Sequence, residues 1–197
     1  MATDWMRGEW TPEMTAAMAL VGGLVVLIGL WLGRRRLLRR LERRRNRRIL
    51  RQLGRESLEN VAIPDGLGEQ NLVLDHVLLL PTGFLVVDVK DYAGVLFAGE
   101  RIDEWTQTVG RRSYKFPNPV PDNQLKVRAL QDLFPEVPVH GRVAFTRQGR
   151  FATALPTGAC MLDAIDESVA DLLTDDDVPG TYYGAWMRLE REVAIPL

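Results

Sequence analysis

The chain has 197 residues, of which 46% are hydrophobic and 26% charged, with a formal net charge of −1 and one cysteine. That length accommodates one domain of ordinary size plus an appendage. The lone Cys160 rules out an intrachain disulfide scaffold and agrees with a reducing compartment. Glycine-rich phosphate loops, paired CxxC zinc ligands and a Gly-x-Ser-x-Gly elbow are absent, which removes P-loop hydrolysis, zinc-finger recognition and serine hydrolase chemistry.

The near-neutral sum conceals a division. Residues 1–13 form a short, net acidic N-terminus with Asp4, Arg7, Glu9 and Glu13. Met14 to Leu32 carries no charge and is apolar apart from Thr15. At 1.5 Å per residue this run nearly crosses the ~30 Å hydrocarbon core of a bilayer. Trp31 stands at its end, where interfacial aromatics gather. Residues 14–33 are therefore expected to be a transmembrane helix.

Residues 34–55 hold 12 arginines against the single acid Glu42. Leu37, Leu38, Leu41, Ile49, Leu50 and Leu53 recur at near-helical spacing, so the arginine-rich stretch is expected to continue as a juxtamembrane helix. A basic block directly after a span holds that end in the cytoplasm. The expected placement is a bacterial-type inner (plasma) membrane, crossed once, with the N-terminus outside and the domain cytoplasmic. The arginines can lie against anionic lipid headgroups, at about 1 kcal/mol per basic residue near the surface, or contact nucleic-acid phosphates. Glu42 lies four residues after Leu38 and seven before Ile49, which puts it on their helix face. It is a candidate inward-pointing acid, with Glu56 and Glu59 as the fallbacks.

From Glu56 onward the chain is acidic, with 12 basic and 22 acidic residues. Residues 56–150 read as the domain proper. Asn60 to Ile63 is a short predicted strand ended by Pro64-Asp65-Gly66. Asn71 to Leu80, the turn Pro81-Thr82-Gly83, and Phe84 to Lys90 form a predicted hairpin. Val95 to Gly99 makes another strand, and Trp105 to Val109 with Arg111 to Phe116 a second hairpin turning at Gly110. Asn118-Pro119 opens a helix to about Phe134, with proline in its tolerated early position. Val139 to Thr146 returns as a strand. In the acidic C-terminal extension, 151–197, Asp163 to Leu173 and Tyr182 to Glu192 are candidate helices. The order of helix, strands, helix and strand fits an α/β sandwich with a mixed sheet.

The chemistry concentrates on the first hairpin. Asp88 and Lys90, two apart, project from one face, and strand pairing can bring Asp75 near it. Carboxylates and an ammonium within aliphatic strands are costly to bury unless paired or metal-bound. Hard oxygen ligands suit Mg²⁺, and a lysine beside them can polarise water or steady a phosphate. The competing reading is an ordinary same-face ion pair between Asp88 and Lys90. His76 alternates to the opposite face from Asp75 and reads as structural. Asp175 to Asp177 read as loop acids.

The run Leu74-Asp75-His76-Val77, then Gly83 to Gly94, followed by Trp105, Tyr114 to Pro119 and Gln124, resembles the nuclease-related domain (NERD) family of the PD-(D/E)xK nuclease superfamily. Asp88 stands where that family usually has glutamate. The resemblance implies a restriction-endonuclease-like mixed sheet flanked by helices. It implies that Asp75 and Asp88, with Glu42, hold a divalent metal (Mg²⁺ or Mn²⁺), that Lys90 assists the attacking water, and that Gln124 belongs to the catalytic site. The expected function is hydrolysis of phosphodiester bonds in nucleic acid, DNA first, at the cytoplasmic membrane face. The alternative is a nuclease fold that no longer cuts and serves as a membrane-tethered nucleic-acid or protein interaction module. The acidity of the domain leans toward that alternative, because a negative surface repels nucleic acid unless a local basic groove overcomes it.

Overall fold

A computed structural model of the chain describes residues 12–64, 71–173 and 180–193, with the side chains of 12–21, 23–26, 35 and 39 outside that description. Two compact units divide it, Met1–Arg45 and Asn46–Leu197. The elements in order are α1 (Pro12–Leu53), β1 (Glu56–Pro64), β2 (Asn71–Leu80), β3 (Gly83–Lys90), β4 (Gly94–Phe97), β5 (Glu104–Val109) and β6 (Arg112–Pro117). Then come α2 (Pro119–Leu133), β7 (Val139–Phe145), β8 (Gly149–Phe151), β9 (Ala159–Met161), the single turn α3 (Ile165–Ser168) between two 3₁₀ turns, and α4 (Tyr183–Glu192).

The apolar run 14–32 falls inside α1, but most of its side chains lie outside the described residues. Among the described residues no helix is long and apolar enough to cross a membrane. Asp175 to Asp177 also lie outside the described residues.

In the second unit, five strands form one sheet in the order β1-β2-β3-β7-β9. The first three pair antiparallel, while β3–β7 and β7–β9 pair parallel, so the sheet is mixed. Between β3 and β7 the chain builds most of a second, four-stranded sheet, β6-β5-β4-β8, and then α2. A parallel pair needs such a long crossover, and here the crossover carries both the second sheet and the helix that covers the first.

Three apolar clusters hold these layers. On one face of the large sheet Val77, Phe84 and Val86 pack against Leu130 and Phe134 of the α2 end and Trp186 and Leu189 of α4. On the other face Leu78, Leu80, Leu85 and Val87 meet Leu50 of α1 with Leu162, Ile165 and Val169. Phe84 and Trp186 are fully or almost fully buried, and full burial of a large apolar side chain contributes about 1.5–3 kcal/mol. The small sheet closes over Val143 and Phe145 of β7 through Leu96, Trp105 and Phe116. Trp105 has no exposed surface, and its indole N–H donates to Gly99 O.

The mixed α/β arrangement with helices against the sheet agrees with a nuclease-like fold. Several elements differ from expectation. β1 starts at Glu56 rather than Asn60, because Asn60 has a positive φ of 52° that interrupts the pattern without ending the strand. The stretch from Asp163 to Leu173 breaks into short turns, whose apolar Leu162, Ile165, Val169 and Leu172 still reach the core. Residues 151–197 are no mere appendage in packing, since Cys160, Trp186 and Leu189 belong to the clusters of the second unit.

Candidate active site at the splayed end of a hairpin

β2 and β3 are paired from Leu80 opposite Gly83 as far as His76 opposite Val87. Past that point they part. β2 continues on β1 alone, and β3 on β7 alone, with Asp88 opposite Val143 and Lys90 opposite Phe145. Asp75 and Asp88 flank the opening. In place of a ladder bond, Oδ2 of Asp75 accepts the backbone N–H of Val89 at 3.1 Å.

A kink in the β1–β2 ladder makes this possible. Leu72 and Leu74 share a core cluster with Val77 and Leu79, so the two-residue alternation reverses across Asp75 and His76. On β1 the same reversal falls between Leu58 and Val61, around Asn60. The partners Glu59–His76 and Val61–Leu74 are in register, but the Asn60–Asp75 pair between them is missing. Asparagine tolerates the left-handed conformation there. The reversal releases Asp75 from the ladder and lets its carboxylate turn toward β3.

Asp88 lies on the α2 face of β3 and has no exposed surface. Its partner is Lys126, whose Nζ donates to Oδ1 at 2.9 Å and to Oδ2 at 3.0 Å. The same ammonium lies 3.3 Å from Oδ2 of the exposed Asp122, one turn earlier on α2. Burial opposes the charge on Lys126, yet the hydrogen bonds and charge of Asp88, reinforced by Asp122 and Asp75, outweigh it and hold the ammonium above the usual lysine range. Lys90 is half-buried and makes no side-chain hydrogen bond or ion pair among the described residues. The ion pair that Asp88 makes is thus not the one with Lys90.

Helix α2 is fixed over this site by its start. Oδ1 of Asn118 accepts the N–H of Val120 at 3.0 Å, and Pro119 occupies the first turn. Its inward positions include Asn123, Lys126, Ala129 and Leu130. Asn123 donates across to Val86 O and Arg142 O, both at 3.5 Å. Gly141 of β7 gives this contact room, since a Cβ there would stand 2.3 Å from Oδ1 of Asn123.

Gln124 is one residue away from that inward face and is exposed. It lines a separate cleft with Glu100, Val120 and Thr157, so the helix does not bring it to Asp88. Glu42 lies on α1 within the first unit, whereas Asp75, Asp88 and Lys90 belong to the second. Glu59 is held by Arg47 at 2.9 Å and Arg51 at 3.6 Å beside His76, on the sheet face opposite Asp88. Glu56 is exposed. Among the described residues no group of three acids, histidines or cysteines is gathered as a metal cluster. His76 stands in register with Glu59 and Val87, and burial lowers its pKa. Burial also pushes the Cys160 thiol up, as suits a buried core residue.

Two residues that the sequence reading did not single out therefore dominate the site, Lys126 and Asn123. Their signal was present. Both stand on the α2 stripe whose other members are apolar, where the helical period calls for side chains that can be buried.

The nuclease-related domain family model matches residues 31–146. The chain belongs to the nuclease-related domain family. The match takes in the kinked hairpin, both aspartates, Lys90 and all of α2. An uncharacterised protein of Bacillus anthracis is 31% identical over 88 residues, covering 43% of this chain and 41% of that protein. The chain thus matches less than half the length of that curated relative. No solved structure matches the chain.

A nuclease-related domain with two carboxylates at a splayed strand end has donors of the right chemistry for Mg²⁺, which is commonly held by one or two carboxylates with waters and substrate phosphate completing its shell. Asp75 and Asp88 fit that description. The obstacle is Lys126, a cation already bound to both oxygens of Asp88.

Proposed function

We propose that this nuclease-related domain hydrolyses phosphodiester bonds of nucleic acid, DNA first, with Mg²⁺ or Mn²⁺ held by Asp75 and Asp88. What supports this reading is the end of the β2–β3 pairing beside Asp75 and Asp88, with Lys90, which makes no side-chain hydrogen bond or ion pair among the described residues, two residues further along β3. A divalent metal there would supply Lewis acidity toward the phosphate and lower the pKa of a bound water. Asp75, oriented by the Val89 amide, presents its carboxylate from one strand, and Asp88 from the other. Lys90, two residues beyond Asp88 on the same face, donates to a phosphate oxygen and stabilises the charge that develops there. Gln124, exposed on the neighbouring cleft, is better placed to touch the nucleic-acid backbone than the metal.

The same proposal includes a membrane tether. Its support is the uncharged run Met14 to Leu32 followed by the arginine block, which under the positive-inside rule places the domain on the cytoplasmic side of an inner membrane. The arginines then lie on anionic headgroups.

One observation favours a second reading, a nuclease fold that binds without cutting: Lys126 occupies both oxygens of Asp88. The experiment that separates them is Mn²⁺ binding by the full chain, followed in the same samples by cleavage of mixed single- and double-stranded DNA and RNA. Metal-dependent cutting lost in Asp88→Asn and Asp75→Asn supports the nuclease. Nucleic-acid binding with no cutting by the wild type supports the module. Absence of Mn²⁺ binding removes the metal site altogether.

A further inference from the structure

We propose that Lys126 is the resident cation of the two-aspartate site, and that its side chain must swing outward to Asp122 before a divalent metal can bind Asp88. This rests on the reading of Asp75 and Asp88 as metal ligands.

The ammonium sits on Asp88 as a cation would, 2.9 and 3.0 Å from its two oxygens. Asp88 is fully buried, so it has no water-facing oxygen to offer while Lys126 remains. Asp75 adds to the field on the same ammonium, so both candidate ligands act on one positive charge. A metal and this ammonium therefore compete for the same oxygens, because two cations confined between the same carboxylates repel strongly in a low-dielectric site.

The structure also supplies an outward position. Asp122, one turn before Lys126, already lies 3.3 Å from Nζ, and its side chain is 57% exposed while that of Lys126 is 9% exposed. Rotating the flexible lysine stem toward Asp122 moves the charge to the surface without leaving it unpaired. Were the ammonium simply expelled, an uncompensated charge would have to cross the apolar stripe of α2. Asp122 removes that barrier. The two carboxylates make Lys126 a two-position element, inward in the metal-free site and outward in the loaded one.

The consequence for metal is a reduced apparent affinity. If the outward position is held a tenth of the time or less, binding weakens by about tenfold or more relative to a site without the lysine. A weak site of this kind loads only when metal is plentiful or when substrate phosphate arrives with it.

The test uses the full chain and free Mn²⁺, counted by its paramagnetic resonance signal, with brief acetylation by acetic anhydride as a second readout. Lys90, Lys115 and Lys126 are the chain's three lysines, and Lys126 alone is buried. In the wild type, Lys126 should be protected from acetylation without metal and should become labelled as Mn²⁺ saturates, with Lys115 unchanged as reference. Lys126→Met should bind Mn²⁺ about tenfold tighter, and Lys126→Gln serves if the methionine variant does not fold. Asp122→Asn, a surface change, should weaken Mn²⁺ binding and reduce the metal-induced labelling. Saturating Mn²⁺ with Lys126 still protected, or variants that bind no tighter than the wild type, would overturn the exchange while leaving the aspartates as ligands. If wild type and all variants fail to bind Mn²⁺, the metal reading of the site falls, and the exchange with it.

Discussion

The carboxylate of Asp75 accepts the backbone N–H of Val89, one residue past Asp88, and this bond stands where the β2–β3 ladder has ended. It gives Asp75 two separable roles, an acceptor for an otherwise unpaired amide and a negative charge at the opening. Asp75→Asn keeps a carbonyl oxygen for the amide, so its stability should stay within about 0.5 kcal/mol of the wild type, while metal binding is lost. Asp75→Ala leaves the amide without its partner and should cost about 1–3 kcal/mol. Urea unfolding of both variants beside a Mn²⁺ titration checks the separation. Equal stability of the two variants would mean that the Val89 bond contributes nothing.

Asp88 and Lys126 form a buried ion pair, and the cost of breaking it should exceed its net contribution. Removing one partner strands the other charge inside, typically at about 3–5 kcal/mol. Asp88→Leu and Lys126→Met should each fall in that range, with Lys126→Met at the low end because Asp88 can take up a proton. The double variant should recover most of the loss, since apolar replacements of a buried pair are often neutral. A double-mutant cycle by chemical denaturation measures this, and additive losses would contradict the pairing.

Much of this site was legible in the sequence, and the part that was not has a physical cause. The hairpin from Asn71 to Lys90 and the helix from Pro119 were set by local signals: alternation, the Pro-Thr-Gly turn, and the Asn118 cap. These depend on neighbours within a few residues. The Asp88–Lys126 pair joins residues 38 apart, and the Asn60 kink that frees Asp75 depends on pairing between β1 and β2. Neither follows from a periodicity. Gln124 was placed by resemblance to a motif, whereas one residue on a helix turns a side chain by about 100°, enough to move it from the site to the next cleft. β8 and β9 are three residues each and exist only as partners of β4 and β7, so no local pattern announces them.

Gly141 sets how closely α2 approaches β7. An added Cβ would lie 2.3 Å from Oδ1 of Asn123 and 2.6 Å from Cγ2 of Val127, so the helix or those side chains must give way. Gly141→Ala should therefore cost about 1–3 kcal/mol, as for other insertions into close-packed interiors. Because Lys126 rides on the same helix, the variant should also loosen the Asp88 contact and raise acetylation of Lys126 in the absence of metal. Unchanged stability together with unchanged labelling would show that α2 accommodates the methyl without moving.

His76 should make the domain sensitive to mild acid. Burial lowers its pKa below the ordinary 6.5, and Arg47 lowers it further, against the opposing charges of Glu59, Asp75 and Asp88. In the window from 6.5 down to that depressed value the unfolded chain binds a proton that the folded one refuses. Stability therefore rises with pH across the window and, for this group, is fully present only above about 6.5. His140, also lowered by burial, acts in the same direction. His76→Gln removes one of the two contributions, so the drop in urea midpoint between pH 7.5 and pH 5.5 should be smaller in the variant than in the wild type. Taking the difference between the two proteins cancels the carboxylates that titrate in both. Identical slopes would mean that His76 is as easily protonated in the folded domain as in the open chain, which its partly buried position opposite Val87 argues against.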